Sequence, residues 1–459
     1  MNYRRRRRKP GHSENRKQML KILMIAIALS ILIGCYGSSR LVHSNHEIVH
    51  GFVAPGFESV RNEFEKNLTK RNEIGAACAI YYKNQKVVDI WGGYRDRKHN
   101  LPWEEHTLVS GWSSSKGAGA ICLAKLHAQG YLDYDDKIVT YWPEFAKHGK
   151  DKITIKQLLS QQAGLCLLNP EDAGKYSCEQ LKNHDTLSKV LENIIPLWEL
   201  GTKYGYHGGS EGLYEAELVR RIDPMHRSIG TFFQEEIAKP LDIEYYIGLP
   251  EGIDQSRIAQ MYMANLLVAI SHLGDMPRGV RKAVFNSKSI FMRSMTEIKG
   301  IDLNERKYLA FEDPDGNGTG EARALAAMYN DLINGGKTAG INQETIDLLE
   351  AGPTYPQGNK IDCVIGIPMP TVLGFMKPET GGAQFAKSQR GFGFIGANGA
   401  IGCADPDRHL SFAYLTNYNA FRMSKNGDLI LKALWNCIDN IEKQKDNGDG
   451  GKNRERQIQ

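Results

Sequence analysis

The chain has 459 residues, of which 41% are hydrophobic and 24% are charged, as is typical of a globular protein with a large core. Its net charge of +5 hides an uneven distribution, because residues 1–21 carry nine Lys and Arg against one Glu and so contribute +8. The remainder is near −3, the difference between these two values, and shows no patch that predicts nucleic-acid binding.

The N-terminal residues predict a membrane-targeting segment. Residues 1–18 include six consecutive basic residues and form a predicted cytoplasmic tail, whereas residues 19–36 are almost entirely apolar. A basic flank before an apolar run is typical of a type II signal anchor. The alternatives are a cleaved signal peptide, a mitochondrial or nuclear address, and a bacterial lipoprotein processing site, which residues 32–35 resemble. We therefore expect a single-pass membrane protein with a lumenal or extracellular domain, or otherwise a secreted protein.

Residues 37–50 form a predicted polar stalk that contains a His-Glu-x-x-His pattern at His46 and His50. Zinc proteases need both imidazoles on one continuous helix. Gly51 follows at once, so we interpret the pattern as a linker or as a strand entering the domain. Beyond it, residues 76–82 and 87–91 are extended and flank a polar turn, which predicts a β-hairpin.

The next segment carries the first candidate catalytic residues. Residues 109–116 are rich in Ser and Gly and predict a turn, and residues 117–126 have apolar positions at helical spacing. Ser113 would lie at a helix N-terminus with Lys116 one turn later, so the amine could reach the hydroxyl. A serine is a poor nucleophile until a base takes its proton, and the helix dipole favours a neutral lysine at this end. The alternative is an N-capping serine followed by a solvated lysine.

Further segments, in the order expected of one family, accompany this Ser-x-x-Lys pattern. Together they resemble the serine β-lactamase-related family, which includes class C β-lactamases, penicillin-binding-protein-like esterases and eukaryotic β-lactamase-like proteins. The matching segments are residues 153–165 (with Gln161 where His is usual), 201–207, 320–336 and 392–406. The resemblance implies that Tyr206, in the Gly-Thr-x-x-x-Tyr segment, is a general acid/base, and the nearby alternative is Tyr204.

The third motif of that family departs from its usual form in this chain. Phe394 stands where Lys or His is usual, and Gly396 is retained. The resemblance implies an oxyanion hole built from the backbone N–H groups of Ala397 and Ser113. Phe394 would line the substrate cleft without offering a cation, which favours an apolar, uncharged ester or amide.

The resemblance implies an α/β (α+β) fold of the β-lactamase/transpeptidase type over residues 51–440. We expect a central antiparallel sheet flanked by helices, a mainly helical subdomain, and a disordered polar tail at 441–459. The implied activity is a serine hydrolase that acts through an acyl-enzyme on a small-molecule or peptide acyl substrate, without metal or organic cofactor. The alternative is a weakly active or inactive binding or scaffold protein.

Several smaller features complete the predictions. Asn67 and Asn317 each begin an N-glycosylation sequon, and residues 313–319 are predicted to form a surface loop. Cys166 and Cys178 could form a disulfide bond in an oxidising compartment. Five methionines between 261 and 295 predict either a helical core or an apolar wall beside the site. The sequence does not specify an oligomeric state.

Overall fold

The computed structural model describes residues 48–168 and 176–455. The predicted cytoplasmic tail, the predicted membrane segment 19–36 and most of the stalk lie outside these ranges. Within them, no helix is both long enough and apolar enough to cross a bilayer.

An antiparallel sheet, with nine strands in the described part of the chain, forms the centre of the fold. Its strands in chain order are β1 (Val49–Val53), β2 (Gly75–Tyr82), β3 (Gln85–Asp96), β4 (Leu101–Pro102), β5 (Thr371–Val372), β6 (Phe375–Met376), β7 (Phe392–Ile395), β8 (Ile401–Asp405) and β9 (Leu410–Thr416). The spatial order is β1-β3-β2-β9-β8-β7-β6-β5, and β4 pairs with β3. The predicted sheet is thereby confirmed, and it brings the C-terminal strands beside the first hairpin.

The predicted hairpin joins β2 to β3 through a tight turn. Lys83 and Asn84 both have positive φ angles, of 50° and 62°. Two consecutive residues of this kind match the twist of antiparallel strands, so the turn also sets the register. His50 lies in edge strand β1, and the helix that a zinc-protease motif requires is not formed there.

Helices surround the sheet and form the second part of the domain. The main ones are α1 (Glu58–Lys70), α2 (Lys116–Ala128), α3 (His184–Glu192), α4 (Glu211–Ile222), α5 (Leu266–Ser271), α6 (Arg278–Val284), α7 (Ile290–Ser294), α8 (Ala322–Ile333), α9 (Gln343–Glu350) and α10 (Lys425–Glu455). Short helices lie at Ile155–Leu159, Cys178–Leu181, Ile229–Phe233, Lys239–Leu241 and Arg306–Leu309, with one π turn at Gln234–Ala238.

Both faces of the sheet are buried, and different residue sizes serve the two faces. Ile80 and Phe412 pack with Phe64 of α1 in one cluster of the core. Ala79 belongs to the cluster on the other face, together with residues of α2 and α8. Small residues on that face let α8 approach closely, since a Cβ on Gly402 would lie 2.6 Å from Leu325. Burial of both faces also explains why these strands are almost continuously apolar.

Helix α10 continues to Glu455 and so includes part of residues 441–459, for which a disordered tail stays a prediction. Two other predictions about the periphery are wrong. Residues 313–319 are mostly buried rather than a surface loop. Cys166 and Cys178 are separate buried thiols, in contact with the carbonyl oxygens of Gly205 and Lys299.

The two predicted glycosylation sites are also inaccessible in the folded domain. The Asn67 side chain is buried, where its amide donates to Asn426 O and its oxygen accepts from Arg71. Asn317 is fully buried, and its amide donates to the carbonyl oxygens of Tyr308 and Phe311. A sequon reports only the local triplet and carries no information on burial.

Candidate active site

Ser113 lies in a short 3-10 turn, Trp112–Ser115, that leads directly into α2. The preceding Trp112 has a φ of +49°, an unfavourable conformation for a bulky side chain and one that often marks functional sites. Gly396, just after β7, packs against this turn, and a Cβ there would lie 2.9 Å from Gly111 O. The close approach places the third motif beside the candidate nucleophile, which is half-buried.

Tyr206 is the side chain in direct contact with the candidate nucleophile. Its hydroxyl lies 2.8 Å from Ser113 Oγ. The alternative, Tyr204, directs its hydroxyl to Lys360 O at 2.6 Å. The structure therefore selects Tyr206 as the partner of Ser113.

The residue after Tyr206 fixes this loop in place. His207 is fully buried, and its Nε2 accepts a hydrogen bond from the Leu165 N–H at 2.9 Å. Burial lowers the pKa of His207 to about 3, so the imidazole is neutral and acts as an acceptor. It serves as a buried anchor of the loop.

Lys116 is near Tyr206 but does not bond to the serine. Its ammonium is fully buried, donates to His207 O at 3.1 Å and to an Asp315 carboxylate oxygen, and lies 3.4 Å from Glu211 Oε2. It also lies 5.4 Å from the centre of the Tyr206 ring. Burial alone would lower the pKa of Lys116, but Asp315 and then Tyr206 and Glu211 raise it well above its usual range. The neutral lysine expected from the helix dipole is therefore wrong, because nearby carboxylates outweigh the dipole.

Four carboxyl groups surround this lysine, and we call them the acidic group: Glu211, Glu215, Asp313 and Asp315. All four are buried. Burial raises the pKa of Glu211 and of Asp313 to about 7. Neither carboxyl oxygen of Glu215 has a hydrogen-bond partner within the described residues. One ammonium cannot neutralise four carboxylates, so part of the acidic group is protonated at neutral pH.

The third motif contributes an aromatic ring and backbone donors. Phe394 is buried, with its ring centre 6.3 Å from that of Tyr206 and 5.8 Å from Lys116 Nζ. The Gly396 N–H bonds to Ala400 O at 2.8 Å, whereas Ala397 is exposed and its N–H has no backbone acceptor in the described chain. Ala397 is thus the donor of this motif that remains available to a substrate.

Two further residues form an apolar wall beside the site: Met295, one of the five methionines for which such a wall was an alternative, and Phe291, which the sequence did not identify. Phe291 of α7 stacks on Tyr206, with ring centres 6.4 Å apart and planes 28° apart. Met295 reaches the same loop, since a Cβ added to Gly208 would lie 2.6 Å from its Cε. Both belong to the Met-rich segment, but no local motif distinguishes them from ordinary core residues.

The one cluster with metal-ligand geometry in the described ranges lies elsewhere. It consists of His106, Glu244 and Glu321, whose ligand atoms lie within 4.8 Å of one another. Glu244 is already paired with both terminal nitrogens of Arg257, at 2.8 and 2.5 Å. His106 Nδ1 is bonded to Glu321 at 3.0 Å. These contacts account for the cluster as an ion-pair network.

The chain is similar in sequence and fold to several characterised groups. The family model described as Beta-lactamase matches residues 60–434. A relative from Mycobacterium tuberculosis, named esterase/beta-lactamase LipL, is 29% identical over 377 residues, which cover 80% of this chain and 83% of that protein. A solved family VIII carboxylesterase has 29% identity and a TM-score of 0.70, covering 85% of this chain and 99% of its own. A penicillin-binding protein homologue from Caulobacter crescentus has 28% identity and a TM-score of 0.71, and the match covers 85% of this chain and 99% of that protein.

Proposed function

The chain belongs to the beta-lactamase family, and from this premise we propose that it is a serine hydrolase that cleaves an apolar ester through an acyl-enzyme. The observation that carries the proposal is the 2.8 Å contact between Ser113 Oγ and the Tyr206 hydroxyl. Ser113 lies in the 3-10 turn directly before α2. The similarity to an esterase/beta-lactamase and to a carboxylesterase supports the reaction class.

The proposed reaction begins with Tyr206 in its phenolate form. The phenolate takes the proton of Ser113 as Oγ bonds to the carbonyl carbon, and the backbone N–H groups of Ser113 and Ala397 hold the resulting oxyanion. The oxyanion collapses, the ester C–O bond breaks, and Tyr206 returns the proton to the departing alkoxide. A water molecule then gives a proton to Tyr206 and attacks the acyl carbon, and Ser113 leaves with that proton restored.

The substrate preference follows from the groups around the serine. Phe394, Phe291 and Met295 present aromatic and thioether surface beside Tyr206. The cation nearest to Tyr206, Lys116, is buried and already paired with Asp315 and Glu211. A substrate carboxylate would find no free cation among these groups, whereas an apolar acyl chain would bury surface at about 25 cal/mol per Å².

A fluorophosphonate probe tests the reaction class. We expect it to label Ser113, as identified by peptide mapping, and we expect Ser113→Ala to abolish the label. Absence of label on folded wild-type protein would contradict the proposal and favour the binding or scaffold function. Hydrolysis of p-nitrophenyl esters of increasing chain length, compared with a chromogenic β-lactam, tests the preference; faster turnover of the β-lactam would contradict it.

We also propose, from composition alone, that residues 19–36 anchor the chain in a membrane, with the hydrolase domain on the lumenal or extracellular side. Extraction of membranes with alkaline carbonate tests this. Full-length protein should remain in the pellet, and a variant lacking residues 1–36 should not. Release of the full-length protein into the supernatant would contradict the anchor.

A further inference from the structure

The contacts of Lys116 raise the question of what holds its ammonium in place. Lys116 Nζ donates to His207 O and to Asp315, and in the described structure it makes no hydrogen bond to Ser113. Glu211 adds a second carboxylate at 3.4 Å. The lysine is therefore held by the groups behind the catalytic pair, and the serine contacts Tyr206 instead.

Asp315 is itself fixed by a second, independent set of contacts. The Gly212 N–H, in the first turn of α4, donates to Asp315 Oδ1 at 2.8 Å. There is no space for a larger residue at this point, because a Cβ on Gly212 would lie 2.7 Å from Asp315 N. The N-terminus of α4 carries partial positive charge and favours an ionised carboxylate. Helix and ammonium together stabilise the charge on Asp315 against the cost of its burial.

We propose that Asp315 is a positioning residue: its carboxylate, with that of Glu211, keeps Lys116 as an ammonium ion behind Tyr206, so that Tyr206 alone exchanges protons with Ser113. This inference rests on the proposed hydrolase function and assigns the roles within its catalytic group. Lys116 stabilises the phenolate by its charge and does not act as the base.

The arrangement has a consequence for the pH dependence of the reaction. Several charged or titratable groups lie around Lys116 and Tyr206. They are Glu211 and Glu215 of α4, Asp313 and Asp315 of the loop before Thr319, His207 of the Tyr206 loop, and Asp362, whose carboxyl accepts from the Tyr206 backbone N–H. Burial raises the pKa of Tyr206, Lys116 lowers it, and Asp315 and Glu211 raise it. The rate should therefore increase toward alkaline pH. Removal of one carboxylate charge should move this increase to lower pH, because the second carboxylate beside Lys116 still keeps the ammonium charged.

The test is the pH profile of kcat/KM for a p-nitrophenyl ester, measured on the intact chain. Asp315→Asn keeps an oxygen that can accept from Lys116 and Gly212 but removes the charge. We expect the rising limb to move by about one unit toward lower pH, at the low end of the shifts that one neighbouring charge produces. Glu211→Gln should move it in the same direction by less.

A matched control is available at the other end of α4. Asp223→Asn also removes a buried, ion-paired carboxylate, and this position is about 18 Å from Glu211 along a 12-residue helix. It should leave the limb in place. The rate of fluorophosphonate labelling at each pH gives a second readout that does not depend on the choice of ester.

The possible outcomes separate this inference from the proposed function. If Asp315→Asn lowers kcat/KM equally at every pH and the rising limb of the pH profile does not move, Asp315 is only structural and the inference is overturned. If Asp315→Asn does not fold, Glu211→Gln decides, and an unmoved limb again overturns it. If wild-type protein is not labelled at any pH, the hydrolase proposal itself fails.

Discussion

Removal of the Tyr206 hydroxyl is the most direct test of the catalytic pair. Tyr206→Phe deletes the group 2.8 Å from Ser113 Oγ and keeps the ring between Phe291 and Phe394. A positioned general acid/base contributes about 10²- to 10⁴-fold to rate. At about 1.36 kcal/mol for each factor of ten, the barrier should therefore rise by about 3–5 kcal/mol.

The stability of the same variant should change little. Its apolar contacts remain, and the loss of one hydrogen bond costs about 1 kcal/mol. The expected result is a loss of at least a hundredfold in kcat with nearly unchanged thermal unfolding, and any residual activity should lack the alkaline rising limb. Activity and melting temperature are measured on the same preparation, so that a folding defect is recognised.

Tyr204→Phe is the matched control, because it removes a tyrosine hydroxyl from the same loop. That hydroxyl bonds to Lys360 O rather than to the serine. The variant should lose some stability but retain kcat to within about threefold. If Tyr206→Phe also retains kcat to within that factor, the serine is activated by another group and the proposed mechanism is wrong.

Three further predictions concern the buried polar groups. Lys116→Met should abolish activity and destabilise the fold by about 3–5 kcal/mol, because it leaves buried carboxylates unpaired; adding Asp315→Asn should recover part of the melting temperature and none of the activity. Burial raises the pKa of Asp362 to about 7, so wild-type protein should lose stability as the pH rises from about 4 to 7. Asp362→Asn has no charge to gain. Its free energy of unfolding in urea, relative to that of wild type, should therefore improve between pH 5 and pH 8. Mass spectrometry should find Asn317 unmodified, and Asn317→Gln should destabilise the fold by about 1–3 kcal/mol, since both amide hydrogen bonds are strained or lost.

The elements that the sequence predicts well are those whose signal is local. The β2–β3 hairpin follows from two extended runs around a polar turn, and α2 follows from helical spacing after the Ser/Gly-rich turn. Ser113 and Tyr206 were identified through ordered family segments, and the structure places their hydroxyls together. The state of Lys116 was not predictable from its helix position, because it depends on Asp315, which is 199 residues away.

The acidic group was missed for two different reasons. Asp313-Pro314-Asp315-Gly316 has the composition of an exposed turn, and only the tertiary structure shows that it is buried. A signal for Glu211 and Glu215 does exist in the sequence. They share one stripe of α4 with Leu218 and Ile222, so two acidic residues occupy positions that helical periodicity assigns to the core. Such a local conflict marks a functional or strained site.

Phe394 and the acidic group are linked by charge. Phe394 stands where Lys or His is usual in the third motif, so this position offers a ring and no cation. Lys116 is the group that lowers the pKa of Tyr206 electrostatically. If Lys116 gave up its proton to act as a base, the phenolate would lose that stabilisation. The proposed mechanism therefore requires the ammonium to stay charged, and the Asp315 carboxylate, in contact with Nζ and bonded to the first turn of α4, would keep it so.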